Sequence, residues 1–465
     1  MLQSLITIVS DFVWTYILIA LLIGLGVYFT IRMRFVQFSL FKDSVRLLGA
    51  GTASGSGVSS FGAFAVGTAA RVGTGNLAGV ALAIAVGGPG AIFWMWMIAL
   101  VGAASAFVES TLAQVYKVRD GENFRGGPAY YMERALGQRW MGILFAVLIT
   151  FTFGLVFTSV QANTISLAFE EAYGFNRFLV GVVITVVAAL VIFGGIRRIA
   201  RVAEILVVVM AIPYMLMALY VVLINFTEIP RVFGLIVGNA FGIGPAVGGG
   251  FGAAIMQGVR RGLFSNEAGM GSAPNAAATA DVSHPAKQGL VQSFGVFVDT
   301  IVICSATAFV ILFSGIYESA EESGITLTQQ ALESQIGGWS VGFISFAVFM
   351  FAFSSIVANY YYGETNIEFI TGSRRWVTYY RFAVMALILF GSVAALELVW
   401  TMADLFMASM AIVNLIAIAL LAPVASAVLK DYRRQRDAGQ DPVFKASEVI
   451  SVKNTECWGE ERRVK

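Results

Sequence analysis

The chain has 465 residues, 58% of them hydrophobic and only 12% charged, with a formal net charge of +2, whereas a soluble domain carries about 25% charged residues. That balance excludes an ordinary soluble enzyme. There is also no basic stripe with interleaved aromatics, so no nucleic-acid partner is expected. The two cysteines (Cys304, Cys457) and the single histidine, His284, are too few and too scattered for a disulfide framework, a zinc site or a haem site.

The apolar residues fall in blocks, and crossing a bilayer as a helix takes about 20 of them. Backbone in lipid must satisfy its own hydrogen bonds, so such blocks are expected as helices, and no alternating β-barrel pattern is visible. The expectation is an all-α polytopic membrane protein with about eleven segments, near 12–31, 59–88, 91–117, 140–170, 178–195, 203–225, 243–280, 288–315, 340–370, 377–396 and 399–429. No Lys or Arg precedes residue 32, so the basic start of a signal peptide is missing and the first block is read as a retained helix.

Basic loops orient the chain. Arg32, Arg34, Lys42 and Arg46 follow the first segment, and Lys117, Arg119, Arg125, Arg134 and Arg139 follow the third. Arg197, Arg198 and Arg201 follow the fifth, Lys287 the seventh, and Arg374 and Arg375 the ninth. Lys430, Arg433, Arg434 and Arg436 open the tail. Every second loop is basic, whereas Glu318, Glu321, Glu322 and Glu333 lie in a loop without Lys or Arg. The reading is N-terminus outside and C-terminus inside. The stretch from Gly315 to Gly338 reads as an outer loop with a short helix, and the tail from Lys430 as a partly disordered cytoplasmic end.

Two segments are interrupted by glycine. The second contains Arg71-Val72-Gly73-Thr74-Gly75-Asn76; the seventh contains Gly242, Gly244, Gly248, Gly249, Gly250, Gly252, Gly258, Gly262, Gly269 and Gly271, with Arg260, Arg261, Ser265, Asn266 and Glu267 among them. Glycine in membrane helices also serves close packing. Here polar Thr74 and Asn76 lie inside the interruption, and a second interrupted span matches the first, which points to a transporter site. Setting the first helix aside leaves five and five, each half led by a broken span, and an odd number per half inverts one against the other. The organisation expected is 1–48 (extra helix and loop), 49–225 and 226–429 (the two five-helix repeats) and 430–465 (cytoplasmic tail). An unwound helix exposes N–H groups that suit a carboxylate and carbonyls that suit a hard cation. No nucleophile–base pair or metal cluster for an intramembrane enzyme is apparent, and the polar groups concentrate at the breaks instead of lining a continuous pore.

The run Val72-Gly73-Thr74-Gly75-Asn76-Leu77-Ala78-Gly79-Val80, followed by Gly87-Gly88-Pro89-Gly90-Ala91-Ile92-Phe93-Trp94-Met95-Trp96, resembles the signature of the alanine or glycine:cation symporters. So do Gly126-Gly127-Pro128-Ala129-Tyr130-Tyr131, the run from Arg261 through Asn266 and Glu267 to Pro274, and Phe351-Ala352-Phe353-Ser354-Ser355 with Tyr360-Tyr361-Tyr362-Gly363-Glu364. The resemblance implies a leucine transporter-type fold of two inverted five-helix repeats plus one helix, in a cell (inner) membrane. It also implies Na⁺-driven uptake of alanine, glycine and similar small neutral amino acids such as serine, with no organic cofactor. It places the substrate carboxylate at Thr74, Gly75 and Asn76, and a sodium site at the carbonyls of Ala69 and Val72 with the hydroxyls of Ser354 and Ser355. Gln161, Asn163, Gln257, Phe264 and Asn359 are further candidates for touching substrate. Arg71 beside a sodium ion would repel it by about 4 kcal/mol at ~4 Å and an effective dielectric of 20, so its side chain is expected to point away, toward a carboxylate or a cytoplasmic vestibule. The alternative is a proton-coupled or cation-independent carrier of the same fold in which Arg71 replaces the cation. Arg261 and Glu267 are expected to pair across the second break, and Glu109, Glu204 and Glu364 to serve as structural pairs or to snorkel.

Overall fold

A computed structural model describes residues 2–53, 55, 58–243, 250–318, 324–449 and 451–458. Gly244, Gly248 and Gly249 of the second glycine-rich run, and Glu321 and Glu322 of the acidic loop, lie outside them. Apart from one short hairpin, Val118–Asp120 paired with Asn123–Arg125, the described chain is helical. Eight of its helices are long and apolar enough to cross a membrane, nine when a bent pair is taken as one span. In chain order the elements used below are α1 (Thr7–Arg32), the bent pair α2 (Ser60–Arg71) and α3 (Gly75–Gly87), α4 (Gly90–Val115), α5 (Arg139–Tyr173) and α6 (Arg177–Ile192). They continue with α7 (Gly195–Ile224), α8 (Gly250–Asn266), α9 (Ala273–Ala277), α10 (Pro285–Ser314) and α11 (Ile325–Ile336). The last are α12 (Trp339–Thr371), α13 (Arg375–Val393), α14 (Leu396–Leu420) and α15 (Ala422–Asp437).

Burial sorts these helices into an inner and an outer set. The most apolar stretches of α4 and α12 are 67% buried, but those of α7 and α13 only 33% and that of α1 28%. The outer helices leave Leu179, Val183, Leu190, Ile205, Ile212, Leu216, Leu223 and Phe382 exposed. A continuous apolar exterior of this kind belongs in lipid, and the chain is a multi-pass membrane protein. At the centre α4 packs along α8 and α10, while α12 packs against α2, α5 and α7. Each broken segment therefore packs against an inner helix, α2 against α12 and α8 against α4.

Several helices carry a π-helical turn, which inserts a residue and leaves backbone groups misaligned, often at functional sites. These turns cover Trp14–Leu18, Gly75–Gly79, Thr150–Phe157 and Phe297–Cys304. The short helix expected between Gly315 and Gly338 is α11, and its Thr328 hydroxyl donates to the Leu77 carbonyl (3.2 Å), docking the loop on α3.

The described residues of the tail, up to 458, are folded. After α15 its described residues fold back over the ends of α4 and α10. Trp458 Nε1 donates to the Gln114 carbonyl (2.8 Å), Phe444 N–H donates to the Ser283 carbonyl (2.9 Å), and Lys287 pairs with Asp441 (2.6 Å). Glu456 accepts from Arg134 (2.7 Å) and from the backbone N–H of Arg119 (2.9 Å). Phe444, Val449, Val452 and Trp458 are buried. The polar composition of the segment hides these few spaced apolar anchors.

Candidate functional site

At the first break the backbone partners change. In an unbroken helix the carbonyls of Ala69 and Ala70 would accept from the N–H groups of Gly73 and Thr74. Val72, at ψ 89°, leaves the helical region and turns its carbonyl out of α2. Gly73 N–H donates instead to Asn76 Oδ1 (2.9 Å), and Thr74 N–H to Gln161 Oε1 (3.0 Å). The released Ala69 carbonyl accepts from Ser355 Oγ (2.8 Å) and Ser354 Oγ (3.3 Å) of α12. Thr74 Oγ1 also donates to Gln161 Oε1 (2.5 Å). Glycine at 73 fits this crowding: a Cβ there would collide with Ser355 Oγ and lie 2.9 Å from Gln161 Oε1, so these side chains would have to move.

The second break faces the first. A Cβ on Gly75 would lie 3.0 Å from the Phe264 ring and 3.1 Å from Ser265 Cα. Phe264 sits between Phe157 (ring centroids 4.5 Å) and Trp400 (4.7 Å). The carboxylate of Asp299, on the π-helical turn of α10, ties the breaks together. It accepts from Asn76 Nδ2 of the first (2.7 Å), from Ser265 Oγ at the end of α8 (2.8 Å) and from its neighbour Thr300 (2.8 Å). Cys304 Sγ lies 3.3 Å from Asn76 Nδ2 and 3.1 Å from Ser265 Oγ. All of these groups are buried. Asp299, which the sequence analysis did not single out, stands where the two breaks meet. The signal was available, since an ionisable residue at membrane depth is a site candidate by default.

Beyond Asn266 the chain runs through left-handed backbone at Glu267 (φ 57°), Gly269 and Gly271 (φ 85° each) before α9. The buried Glu109 carboxylate of α4 accepts from Gly269 N–H (3.1 Å), Gly271 N–H (3.0 Å) and Asn414 Nδ2 (2.8 Å). Tyr131 donates to Asn414 in turn. Glu109 therefore neither snorkels nor forms a peripheral ion pair; it supplies the acceptors that the unwound segment lacks. The expected pairing of Arg261 with Glu267 does not form. Arg261 pairs with Asp404 (2.5 Å), and Glu267, turned back by its left-handed backbone, accepts from Ser272 (2.6 Å).

The other candidates divide. Ala69, Val72, Thr74, Gly75, Asn76, Gln161, Phe264, Ser354 and Ser355 gather at the break. Asn359, one turn beyond Ser355, is fully buried with neither amide atom hydrogen-bonded. Asn163 points elsewhere: residues two apart on a helix do not share a face, and its Nδ2 donates to the carbonyls of Gly391 (2.9 Å) and Ala394 (2.8 Å), tying α5 to the end of α13. Gln257 is half-buried beside Gly87, roughly 18 Å along α3 from Gly75 at 1.5 Å per residue. Arg71 turns toward α10, where its Nη1 donates to the Gln292 carbonyl (3.3 Å) and Gly295 gives it room, and its charge acts on the buried carboxylates of Glu109, Glu267 and Asp299. Among the described residues no carboxylate comes within ion-pair distance of it, and its Nε and Nη2 are buried without hydrogen-bond partners.

Broken helices whose freed backbone groups meet serine hydroxyls and buried amides make the kind of site found in secondary transporters. The comparisons agree. The model of the sodium:alanine symporter family matches residues 1–446, and the chain belongs to that family. It is 57% identical over 461 residues to the amino-acid carrier protein AlsT of Bacillus subtilis, covering 99% of this chain and 98% of that one. It is 56% identical over 459 residues to the probable sodium/glutamine symporter GlnT of the same organism, covering 98% and 96%. Among solved structures, MhsT in complex with L-phenylalanine superposes with a TM-score of 0.54 at 14% identity, over 86% of this chain and 93% of that one, a likeness of fold alone. The protein is a secondary transporter of small neutral amino acids and not an enzyme.

Proposed function

We propose that the chain couples Na⁺ entry to uptake of alanine or glycine by alternating access. The observation that carries this reading is the Ala69 carbonyl, freed from its helix and met by the hydroxyls of Ser354 and Ser355. Hydroxyl and carbonyl oxygens are the ligands a hard cation takes. Ser354, Ser355, Ala69 and Val72 hold the sodium ion, which replaces the hydroxyl-to-carbonyl bonds. The substrate carboxylate takes the start of α3 at Thr74, Gly75 and Asn76, displacing Gln161 from the Thr74 N–H. Asp299 gives the pocket a fixed negative charge to balance the ammonium group, and Asn359 carries a free donor and acceptor toward the same helix face as Ser355. Phe264 against Gly75 leaves little room, which favours a small side chain.

The eleven segments, with α6 and the α8–α9 stretch counted as spans, form an extra helix (1–48), two inverted five-helix repeats (49–225 and 226–429) and a cytoplasmic tail (430–465). The alternation of basic loops puts the N-terminus outside and the C-terminus in the cytoplasm of a cell-membrane protein. The test is equilibrium binding of labelled alanine to purified protein. Linkage requires Na⁺ to raise alanine affinity by the factor by which alanine raises Na⁺ affinity, about 5–150-fold for typical coupling. Unlabelled glycine should compete and glutamine compete less. An affinity indifferent to Na⁺ but raised by acid would favour proton coupling instead.

A further inference from the structure

The first helix, α1, stands outside the two broken spans, yet a continuous chain of polar and aromatic contacts runs from it to the break. Asp11, half-exposed, pairs with Arg260 (2.6 Å) of α8. Arg260 lies 5.3 Å from the centre of the Trp14 ring and 3.7 Å from Asp404. Trp14 Nε1 donates to the backbone carbonyl of Asp404 (3.1 Å). Asp404 on α14 pairs with Arg261 (2.5 Å), whose guanidinium lies 4.7 Å from the Trp400 ring. Trp400 packs on Phe264 (4.7 Å), and Phe264 closes on Gly75.

We infer that α1 is a positioning element for the site. Through Asp11 and Trp14 it fixes Arg260 and Asp404, and so sets the Arg261–Asp404 latch that keeps Trp400 and Phe264 packed over the break. The chemistry suits a device that opens. The pair is nearly dry, with side-chain exposures of 3% and 7%. Arg261 Nε and Nη1 and Asp404 Oδ1 have no hydrogen-bond partners. A buried ion pair with unfilled donors and acceptors recovers its desolvation cost poorly, so the closed state depends on neighbours to hold it. α1 supplies those neighbours while itself lying mostly in lipid contact. The inference rests on the substrate site proposed above.

The test uses Cys304, which shares Ser265 and Asn76 with the break, as its reporter. In reconstituted protein carrying Cys457→Ser, the rate of Cys304 modification by a small methanethiosulfonate is measured with and without alanine plus Na⁺. Trp14→Phe, Asp11→Asn and their combination are expected to speed modification about fivefold or more, as expected for a shift toward the open population. Arg261→Lys should stay closer to the parent than Arg261→Gln. A role in folding alone would lower yield or thermal stability and leave this rate unchanged. Asp11→Asn, at a half-exposed position, keeps the test decisive should the Arg261 variants fail to fold. Parent-like rates in Asp11→Asn and Trp14→Phe overturn the positioning role. Failure of alanine plus Na⁺ to slow modification in the parent would overturn the site reading instead, so the two failures are distinguishable.

Discussion

At the residue scale, Gly73 shapes the first break directly. Its missing side chain lets Ser355 and Gln161 approach the unwound backbone. Gly73→Ala is expected to reduce alanine uptake at least about tenfold while the protein still reaches the membrane, since an overpacked site costs about 1–3 kcal/mol, or the geometry itself. Ser355→Ala removes one proposed ligand and should raise the Na⁺ concentration for half-maximal uptake about tenfold with a smaller change in maximal rate. A lower rate at unchanged Na⁺ dependence would count against Ser355 as a ligand. The glycine run and the adjacent serines were legible because glycine and hydroxyl groups in an apolar block are local anomalies. Asp299 was not assigned, because its partner Asn76 lies 223 positions away. That Asn163 and Gln257 lie apart from the break was hidden for a related reason. In a helix apolar all round, periodicity does not say which face a lone amide takes.

At the element scale, both breaks persist because side chains supply what the backbone gave up. Asn76 and Gln161 do so at the first and Glu109 at the second. Glu109→Gln keeps the shape but replaces two charge-assisted acceptors with a single neutral one. It should destabilise the protein by about 1–3 kcal/mol, read as a lower unfolding midpoint in detergent. An unchanged midpoint would mean that Gly269 and Gly271 find other partners.

The join of the tail to α10 adds a pH dependence. His284 caps α10 by accepting from Ala286 N–H at Nδ1 (3.1 Å), with Nε2 left to donate to Asp431 (3.3 Å). Burial pushes its imidazole below the ordinary value, the hydrogen bond and charge of Asp431 opposing; Lys287 also lowers it and Asp441 raises it. The fold therefore favours neutral His284. Stability is full above the unfolded-state value of about 6.5 and declines as pH falls below it, because the unfolded chain then binds the extra proton. His284→Asn, which retains a capping oxygen, should flatten the fall in unfolding midpoint between about pH 7 and 5.5. An equally steep fall in that variant would assign the dependence to other groups. None of this was legible, because a polar tail reads as solvated until its spaced Phe444, Val449, Val452 and Trp458 are seen to share one surface.

On the scale of the whole molecule, the membrane-spanning architecture was legible from the apolar blocks, since lipid leaves the backbone few alternatives to helix. The eight long helices and the bent pair overlap nine of the expected segments, with larger departures at the start of α7 and the end of α14. The sequence did not reveal which helices are central. α1 and α12 are equally apolar, and only packing distinguishes a buried helix from one facing lipid. The same limit hid the role of α1, whose contacts with α14 join residues 390 positions apart. Broken helices at the centre, packed against inner helices, are the arrangement that the proposed alternating access would use.

The most direct test of this account is uptake of labelled alanine into proteoliposomes under an inward Na⁺ gradient, with a K⁺-balanced control and a pH gradient in parallel. The account predicts accumulation that appears with the Na⁺ gradient, collapses when that gradient is dissipated and is blunted in Ser354→Ala/Ser355→Ala. Uptake indifferent to Na⁺ but driven by the pH gradient would contradict it.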